Sequence, residues 1–262
     1  IELIQGDTLE KDHLRRTLNK IKPDIIVHMA ALPLAFMAIE HSEDAFQSIL
    51  GSTVNFLEIL RDFETPFRLV YTSSSMVYGN FQSAFVTEES PTDPKEIYGS
   101  FKLCGEIACR GYMKCYDMDI AIVRPSAVYG PYDANQRVIQ KFISKALNGD
   151  TLKVDGDGSM KLDFTYVDDC AQAIFLAATH PAARGETFNV TRGEARSLKN
   201  VIDIIQKEIP EVQVEYGPVP SYMPKRGTLN VDKAKKLLGY SPEYDLERGV
   251  ALYIKHLREH PI

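Results

Sequence analysis

Short runs of β-branched and other apolar residues alternate with segments of helical periodicity in the first half of the chain. The runs are IELIQ at 1–5, DIIVHMAA at 24–31, FRLVYTSS at 67–74 and MDIAIVRPS at 118–126. Helices are predicted near 9–21, 43–63 and 98–116. Apolar strands separated by helices are typical of a parallel sheet that is buried on both faces. The pattern therefore predicts an α/β fold with a doubly wound parallel sheet.

Ligands of such folds bind at the carboxyl ends of the strands. The residues that end the predicted strands are therefore candidate site residues. They are Asp7 after the first run, Ala30 and Ala31 after the second, Ser73–Ser75 after the third, and Pro125 with Ser126 after the fourth.

Composition excludes several functional classes. The net charge is -6 over 262 residues, which argues against a general nucleic-acid binder. No apolar run approaches the ~20 residues of a membrane span. The six histidines show no metal-ligand spacing, so no metal site is predicted. The four cysteines form no C-x-x-C pair and are predicted to be small buried side chains in a reducing, cytoplasmic environment.

The second half of the chain has shorter elements and is predicted to form a smaller lobe. VDGDGSMK at 154–161 is interpreted as a tight turn, because it lacks the further ligands of a calcium loop. A helix is predicted within 164–179, with Asp168 or Asp169 as its N-cap. Capping is a better interpretation of these two aspartates than a catalytic carboxylate pair.

Tyr98 and Lys102 are a candidate proton-transfer pair. Residues four apart share one face of a helix, so the ammonium can lie near the phenol. A phenol has a pKa of about 10 and must lose about 3 units to act as a base near neutrality. A partly buried lysine and a cationic nicotinamide ring can supply this shift together. A chance pair on a solvated helix is the alternative, because about one such pair is expected among thirteen tyrosines.

The context of the pair favours function. SSSMVYG follows a strand and precedes the tyrosine helix by one loop, so a serine hydroxyl lies at the end of a strand. Such a hydroxyl can hydrogen-bond a substrate hydroxyl and relay its proton. A serine-rich turn without function is the alternative.

Ordered motifs over nearly the whole chain resemble the extended short-chain dehydrogenase/reductase family, and within it the nucleotide-sugar epimerases and dehydratases. The motifs are GDTLEKDHL, VHMAA, SSSMVYG, YGSFK, RPSAVYGP, LDFTYVDDCAQAI, GETFNV and KRGTLNVDKAKKLLGYSP. The resemblance implies a Rossmann-type sheet with a smaller α/β substrate-binding lobe. It also implies NAD as cofactor and a nucleotide-diphosphate sugar, UDP-linked as in many members of the family, as substrate.

The resemblance assigns catalytic roles to Tyr98 as acid/base, Lys102 as the residue that lowers its pKa, and Ser74 as the substrate-facing hydroxyl. It implies that Asp7 faces the adenine and that Arg226 binds the diphosphate. The residues expected to contact the cofactor are Asp7, Thr8, Met29, Ala30, Ala31, Ser48, Thr72, Ser73, Tyr98, Lys102, Pro125 and Ser126. Those expected to contact the substrate are Ser74, Ser75, Tyr98, Ala127, Arg137 and Arg226.

Several positions depart from the family pattern. Ala127 stands where many relatives have asparagine, and Leu162 stands where they have arginine. Members of the family begin with a strand followed by a Gly-rich loop, and none of the sixteen glycines of this sequence forms that pattern. Ile1 resembles the start of the family's third strand. We therefore expect the sequence to be part of a longer enzyme that lacks its first two strand–helix units here, which leaves NAD over NADP to the resemblance alone.

The function predicted from these residues is NAD-dependent epimerisation of a UDP-hexose at C4 through a keto-sugar. A 4,6-dehydratase and a 4-dehydrogenase or reductase are alternatives within the family. A catalytically inactive nucleotide-sugar binder is an alternative of another class. Residues 1–128 and 161–190 are expected to form the dinucleotide-binding domain, and 129–160 and 191–262 the sugar-nucleotide lobe. A homodimer through the helices near 43–63 and 98–116 is expected by analogy.

Overall fold

The computed structural model describes residues 1–218 and 224–260. The chain divides into two compact units. Unit one comprises Ile1–Tyr78, Pro91–Arg124 and Ile174–Phe188, and unit two comprises Gly79–Ser90, Pro125–Ala173 and Asn189–Ile262. The predicted domain boundaries assigned 79–90 and 161–173 to the first domain, whereas the structure places both segments in unit two.

The elements are named here in chain order. The strands are β1 Ile25–His28, β2 Arg68–Thr72, β3 Phe85–Val86, β4 Ile120–Pro125, β5 Val128–Tyr129, β6 Leu152–Val154, β7 Lys161–Asp163, β8 Thr165–Tyr166, β9 Thr187–Val190, β10 Ala195–Ser197, β11 Val214–Tyr216 and β12 Thr228–Leu229. The α-helices are α1 Lys11–Ile21, α2 Ala35–Glu40, α3 Ser42–Ala45, α4 Ser52–Leu60, α5 Ile97–Tyr116, α6 Val138–Leu147, α7 Val167–Thr179, α8 Leu198–Glu208, α9 Asp232–Leu238 and α10 Leu246–Glu259.

A four-stranded sheet with the order β1-β2-β4-β9 organises unit one within the described ranges. β1 pairs with β2 and β2 pairs with β4, both in parallel, with Val27 opposite Val70 and Val70 opposite Ala121. Apolar side chains from β2, β4, α4 and α5 form one core cluster, which includes Leu57, Leu60, Leu69, Tyr71, Cys109, Ile120 and Ile122. The predicted doubly wound parallel sheet is confirmed by this arrangement and by the solved structures described below.

The first predicted strand, 1–5, is wrong. The structure assigns no strand to these residues, and Ile1 and Leu3 are almost fully exposed. An apolar run becomes a strand only when a neighbouring strand accepts its hydrogen bonds, and among the described residues this run has no strand partner. β1 is an edge strand for the same reason, and its Ile25 and Val27 are about 40% exposed.

The helix predicted at 43–63 is a composite. The structure has α2 and α3, then a π-helical segment at Phe46–Gly51, then α4. Helical backbone therefore begins earlier than predicted, directly after the Pro33 region, and its hydrogen bonding changes at Phe46. Because π-helical turns are rare inside α-helices, the sequence pattern predicts an uninterrupted α-helix here.

The buried face of α5 carries small and polar residues and packs against the rest of unit one. Its buried residues are Gly99, Lys102, Gly105, Glu106 and Cys109, which recur at intervals of three and four. This spacing places them on one helix face. Two charged residues on a buried face are unusual in a helix, and both have partners described below.

Unit two is built from short strand pairs around its own core. β5 pairs with β8 and β6 with β11 in parallel, whereas β7 pairs with β10 in antiparallel. α6, α8 and α10 supply most of the core cluster, which includes Ile139, Phe142, Ile143, Val201, Ile202, Ile205, Val250, Tyr253 and Ile254. The DGDG segment is a turn, as predicted, with Gly156 and Gly158 at positive φ.

Two structural predictions from the sequence need correction. Asp168 and Asp169 lie inside the first turn of α7 rather than at its N-cap, and the Asp169 carboxylate accepts the backbone N–H groups of Glu243 and Tyr244. Cys104 and Cys115 are exposed, and only Cys109 and Cys170 are buried. In both cases residue type and periodicity are readable from the sequence, but the element that packs nearby is not.

Among residues 1–218 and 224–260, no helix is long and apolar enough to cross a membrane. Over the same residues, no group of three histidine, cysteine, aspartate or glutamate side chains is placed to hold a metal ion.

Gly105 allows α5 to approach Tyr71, and this contact gives a testable prediction. A Cβ at position 105 would lie 2.1 Å from the Tyr71 hydroxyl, which itself donates to the Lys102 carbonyl at 3.2 Å. We expect Gly105→Ala to lower the free energy of unfolding by about 1–3 kcal/mol, as overpacking usually does. Tyr71→Phe removes the obstructing oxygen, so the double variant should recover part of that loss in denaturant unfolding.

Gly111→Ala is the matched control on the same helix, because its Cβ would meet nothing within 4 Å. Replacing an exposed helical glycine by alanine should stabilise the protein by up to about 1 kcal/mol. Equal effects at positions 105 and 111, or additive effects of Gly105→Ala and Tyr71→Phe, would contradict the contact.

Candidate active site

The serine turn follows β2 directly. Ser73 and Ser74 leave the strand, and a 3₁₀ turn runs from Ser75 to Tyr78. The Ser74 Oγ accepts the Met76 backbone N–H at 3.2 Å, a local bond that serines commonly make in turns. All three serines are buried, with Ser74 the most accessible at 8% exposure. The turn therefore brings one partly accessible hydroxyl to the carboxyl end of β2.

Glu96 caps the helix that carries Tyr98. Its carboxylate accepts the backbone N–H of Tyr98 at 2.7 Å and that of Gly99 at 2.7 Å. These are two of the donors that a helix N-terminus leaves unpaired, and the negative charge is favourable there. Glu96 was not predicted from the sequence. The cap fixes Tyr98 as the second residue of α5.

Gly99 brings the start of α5 against the serine turn. A Cβ at this position would lie 2.8 Å from the Met76 carbonyl oxygen, closer than any side chain can approach. The glycine therefore permits a backbone contact between the turn and the helix. Within unit one, the turn that carries Ser74 and the helix that carries Tyr98 are in direct contact.

Lys102 is the buried charge of this site. Its side chain is 4% exposed, and its Nζ donates to the Thr72 carbonyl at 2.7 Å. The Nζ lies 5.8 Å from the centre of the Tyr98 ring and 5.5 Å from that of Tyr71. Burial lowers the pKa of Lys102 to about 8. The ammonium is thus held next to the Tyr98 ring in a poorly solvated position.

His28 is a further buried polar residue beside this lysine. Its Nε2 lies 3.1 Å from the Thr53 Oγ1 and 3.4 Å from the Ser52 Oγ. Burial first, and the nearby charge of Lys102 second, lower the pKa of His28 to about 3. The imidazole is therefore neutral, and adds no second positive charge near Lys102. VHMAA was noted in the sequence only as a motif, without a role for this histidine.

Ten of the twelve residues predicted to contact a dinucleotide lie in unit one, and the other two, Pro125 and Ser126, lie in unit two. Asp7 is exposed and its carboxylate accepts the Leu9 N–H at 2.9 Å. The Thr8 carbonyl accepts the Asn55 side-chain amide at 3.1 Å, and the Ser48 Oγ accepts the Leu32 N–H at 3.2 Å. The small or apolar residues after β1, Met29 and Ala30, are exposed, and Ala31 is partly exposed.

Thr72 and Ser73 differ in what their hydroxyls do. The Thr72 Oγ1 is buried without a hydrogen-bond partner among the described residues, as is the His28 Nδ1. Buried polar groups are usually paired, so an unpaired hydroxyl at a strand end fits a missing ligand. The Ser73 Oγ instead donates to Glu106 at 2.6 Å. Thr72, the buried Lys102 ammonium and the exposed apolar positions after β1 together fit a bound dinucleotide.

The residues predicted to hold the sugar nucleotide in unit two are partly brought together. Arg226 Nη2 donates to the Ser126 Oγ at 3.0 Å, and its guanidinium lies 5.9 Å from the centre of the Phe81 ring. Ala127 follows at φ 40°, and Pro125 ends β4. Arg137 instead makes an ion pair with Asp133 at 2.7 Å. Phe81 was not predicted from the sequence.

Comparison with known proteins extends these observations. The model of the NAD dependent epimerase/dehydratase family matches residues 1–191. The chain belongs to that family. A UDP-glucose 4-epimerase of Mycolicibacterium smegmatis is 30% identical, over 98% of this chain and 83% of the relative. A dTDP-glucose 4,6-dehydratase of Xanthomonas campestris is 27% identical, over 96% of this chain and 77% of the relative.

The fold has close structural relatives. A UDP-glucuronic acid 4-epimerase from Bacillus cereus, solved in complex with UDP-glucuronic acid and NAD, matches with a TM-score of 0.91 and 28% identity. The match covers 98% of this chain and 81% of that structure. The predicted family, the Rossmann-type fold, the NAD dependence and the nucleotide-sugar epimerase class are confirmed at this level.

The buried ammonium of Lys102 predicts a pH-dependent stability. The pKa of Lys102 in the folded protein, about 8, lies below the ordinary value of 10.5. Below about pH 8 the buried ammonium is charged, and its desolvation lowers the free energy of unfolding. This cost falls as the pH rises towards 10.5, and the stability contributed by this residue rises with it. Near neutral pH, the Lys102→Met variant should therefore have a higher free energy of unfolding than the unmodified protein. The difference between the two free energies should shrink by about 2 kcal/mol from about pH 7 to about pH 10.

Denaturant unfolding of the ligand-free protein across this range measures the effect. Lys141→Met, which removes an exposed charge, is the matched control. A difference between the Lys102→Met variant and the unmodified protein that stays constant with pH would refute the burial effect.

Proposed function

We propose that the protein is an NAD-dependent UDP-hexose 4-epimerase in which Tyr98 is the acid/base. The observation that carries this proposal is the buried Lys102 ammonium, 5.8 Å from the Tyr98 ring, at the turn that presents Ser74. The relatives named as UDP-glucose and UDP-glucuronic acid 4-epimerases support a UDP-linked substrate. The identity of the nucleotide base, the identity of the sugar and the position of the epimerised carbon are all part of this proposal.

The chain's own groups are suited to moving one proton. Tyr98 takes the proton of the sugar hydroxyl, and the Lys102 ammonium stabilises the phenolate electrostatically because both lie in a poorly solvated place. The Ser74 Oγ hydrogen-bonds the same hydroxyl and orients it towards Tyr98. NAD, held by the Lys102 ammonium and the Thr72 hydroxyl, would supply the reversible hydride acceptor that this chemistry requires.

The groups proposed to hold NAD have unused hydrogen-bonding capacity or present an exposed apolar surface. The Thr72 Oγ1 has no described partner, and Lys102 Nζ has two further protons beyond the one given to the Thr72 carbonyl. Met29, Ala30 and Ala31 provide an apolar surface at the end of β1. Asp7, Thr8, Ser48, Ser73, Pro125 and Ser126 remain proposed cofactor contacts on the strength of the resemblance.

Epimerisation is favoured over dehydration by the serine turn. Eliminating water requires an acid for the leaving hydroxyl and a base for the neighbouring proton. Ser75 and Met76 follow Ser74, and neither side chain exchanges a proton near neutral pH. The carboxylates packed nearby are already bound, since Glu96 caps α5 and Glu106 pairs with Arg124.

Arg226 is proposed to bind the diphosphate. A guanidinium fork suits two phosphate oxygens, and the bond to Ser126 together with the Phe81 ring orients it. Ser75, Ala127 and Arg137 remain proposed substrate contacts. Arg137 must give up or share its Asp133 partner to serve in this way.

A homodimer is proposed through the helices before and after β2. Large apolar side chains are exposed on α2, the π-helical segment, α4 and α5, at 36–59%. They are Phe36, Ile39, Phe46, Val54 and Ile107. A cluster of exposed apolar residues on paired helices is typical of subunit interfaces. The cytoplasmic location remains a prediction from composition.

The reaction product tests the proposed function. The protein, expressed from its complete gene and supplied with NAD and UDP-glucose, should form the C4 epimer with unchanged mass. Tyr98→Phe should abolish most turnover while nucleotide-sugar binding persists, and Tyr116→Phe, an exposed tyrosine on the same helix, should not.

Chromatography with mass spectrometry separates the outcomes. A product lighter by the mass of one water would show a dehydratase activity and refute the proposed epimerase activity. Binding without turnover in the unmodified protein would support the inactive sugar-nucleotide binder. Near-normal kcat in Tyr98→Phe would remove Tyr98 from the acid/base role.

Arg226→Ala should weaken UDP binding at least about tenfold, since a charge-assisted hydrogen bond contributes about 1.5–3 kcal/mol. Calorimetric titration with UDP measures this without turnover. Arg196→Ala is the control, because it removes another arginine of unit two whose Nη2 is paired with Glu247 at 2.7 Å. Equal affinity in both variants would exclude Arg226 from the diphosphate site.

A further inference from the structure

Glu106 and Arg124 form a fully buried ion pair behind the serine turn. Their side chains are 0% and 2% exposed. The contact is bidentate, with Arg124 Nη2 donating to Oε2 at 2.6 Å and Nε donating to Oε1 at 2.8 Å. Burial alone would raise the pKa of Glu106, but the hydrogen bonds and charge of Arg124 hold it below its ordinary value. The pair is therefore charged at neutral pH.

The same pair contacts both ends of the turn that carries Ser74. Glu106 Oε1 accepts the Ser73 hydroxyl at 2.6 Å, one residue before Ser74. Arg124 Nη1 donates to the Tyr78 hydroxyl at 2.7 Å, at the end of the 3₁₀ turn. The guanidinium carbon also lies 4.8 Å from the centre of the Tyr78 ring. The turn is thus held at its first and last side chains by one ion pair.

We propose that Glu106, Arg124, Ser73 and Tyr78 are positioning residues that fix Ser74 for proton transfer. The inference rests on the proposed function. Among the described residues, the Ser74 Oγ accepts only the Met76 N–H, a bond within the turn that shapes it but does not attach it to the sheet. The Ser73 backbone N–H donates to the Val123 carbonyl of β4, and the ion pair, whose two residues lie on α5 and β4, adds side-chain attachment at both ends of the turn. Misplacing a reacting group by about 1 Å can cost about a hundredfold in rate.

A purely stabilising role explains the arrangement less well. Buried ion pairs often contribute little net stability, because desolvating two charges offsets their attraction. Apolar side chains of similar volume would fill the same space at comparable stability. They would not supply directional bonds to the Ser73 and Tyr78 hydroxyls. The geometry is therefore better suited to fixing the turn than to stabilising the fold.

A second ion pair on the same strands is a natural control. Arg68 and Asp119 form a bidentate contact with both N–O distances at 2.9 Å. Arg68 begins β2 and Asp119 precedes β4, so this pair lies at the amino ends of the strands whose carboxyl ends meet the Glu106–Arg124 pair. Its loss should lower stability without affecting the serine turn.

The test compares Tyr78→Phe and Ser73→Ala with Asp119→Asn in the protein expressed from its complete gene. Tyr78→Phe keeps the ring and removes the hydroxyl bonded to Arg124, while Ser73→Ala removes the bond to Glu106. Both should lower kcat about tenfold with KM for the UDP-sugar changed less than about twofold. Asp119→Asn should lower the melting temperature with kcat unchanged.

Amide hydrogen exchange of peptides covering 73–78 gives a readout that needs no activity. Exchange should accelerate in Tyr78→Phe and Ser73→Ala and stay unchanged in Asp119→Asn. Faster exchange with the expected kcat loss supports the proposal. If exchange is faster in both variants but the unmodified protein has no epimerase activity, the proposed function is refuted. The attachment of the turn by the ion pair is then still supported.

Two outcomes would overturn the positioning role. One is unchanged exchange at 73–78 in both variants. The other is a kcat loss that Asp119→Asn reproduces at equal loss of stability. If Ser73→Ala lowered NAD affinity with normal exchange, Ser73 would be a cofactor contact and not a positioning residue. Glu106→Gln can fail to fold, which is why the two hydroxyl variants carry the test.

Discussion

The close packing of α5 on the end of β2 is the constraint on which the candidate site in unit one depends. Two glycines of α5 make it possible, since Gly99 meets the Met76 carbonyl and Gly105 meets the Tyr71 hydroxyl. The contact puts the Lys102 Nζ on the Thr72 carbonyl and the Glu106 carboxylate on Arg124. An ammonium and an ion pair are thereby buried where a fold needs only apolar side chains. Such destabilising burial is typical of functional sites.

The elements with strong periodicity were predictable. β2, β4 and α5 occur within one or two residues of their predicted ends, because uninterrupted apolar runs and an i, i+3, i+4 pattern dictate them locally. The run at 1–5 has the same composition but no strand partner among the described residues, so composition alone misled. The π-helical segment and the exposures of Cys104 and Cys115 also depend on neighbours that the sequence does not specify.

The site was predictable only where local order encodes it. The Tyr98–Lys102 pair follows from i, i+4 spacing and a serine hydroxyl from its place at a strand end, whereas the choice of Ser74 comes from the resemblance to the family. The structure brings the turn and the helix into contact. The surrounding contacts link residues far apart in sequence, such as Ser73 with Glu106 and Tyr78 with Arg124. A signal did exist, because Arg124 lies next to the end of an otherwise apolar strand and Glu106 lies on the buried face of α5. Charges in those places require partners, although the sequence does not say which.

Unit two shows how a departure from the family pattern can be accommodated. Ala127, where many relatives have asparagine, keeps a left-handed φ of 40°, a conformation that asparagine tolerates better than alanine. Leu162 lies where many relatives have arginine, and it packs against the apolar core of the unit. Beside Leu162, the buried Asp163 accepts the Gly193 and Leu229 N–H groups at 3.1 Å each and so fastens the strand that follows Arg226. The bond of Arg226 to Ser126 and its place just before β12 therefore decide how firmly this arginine is held for the role proposed above.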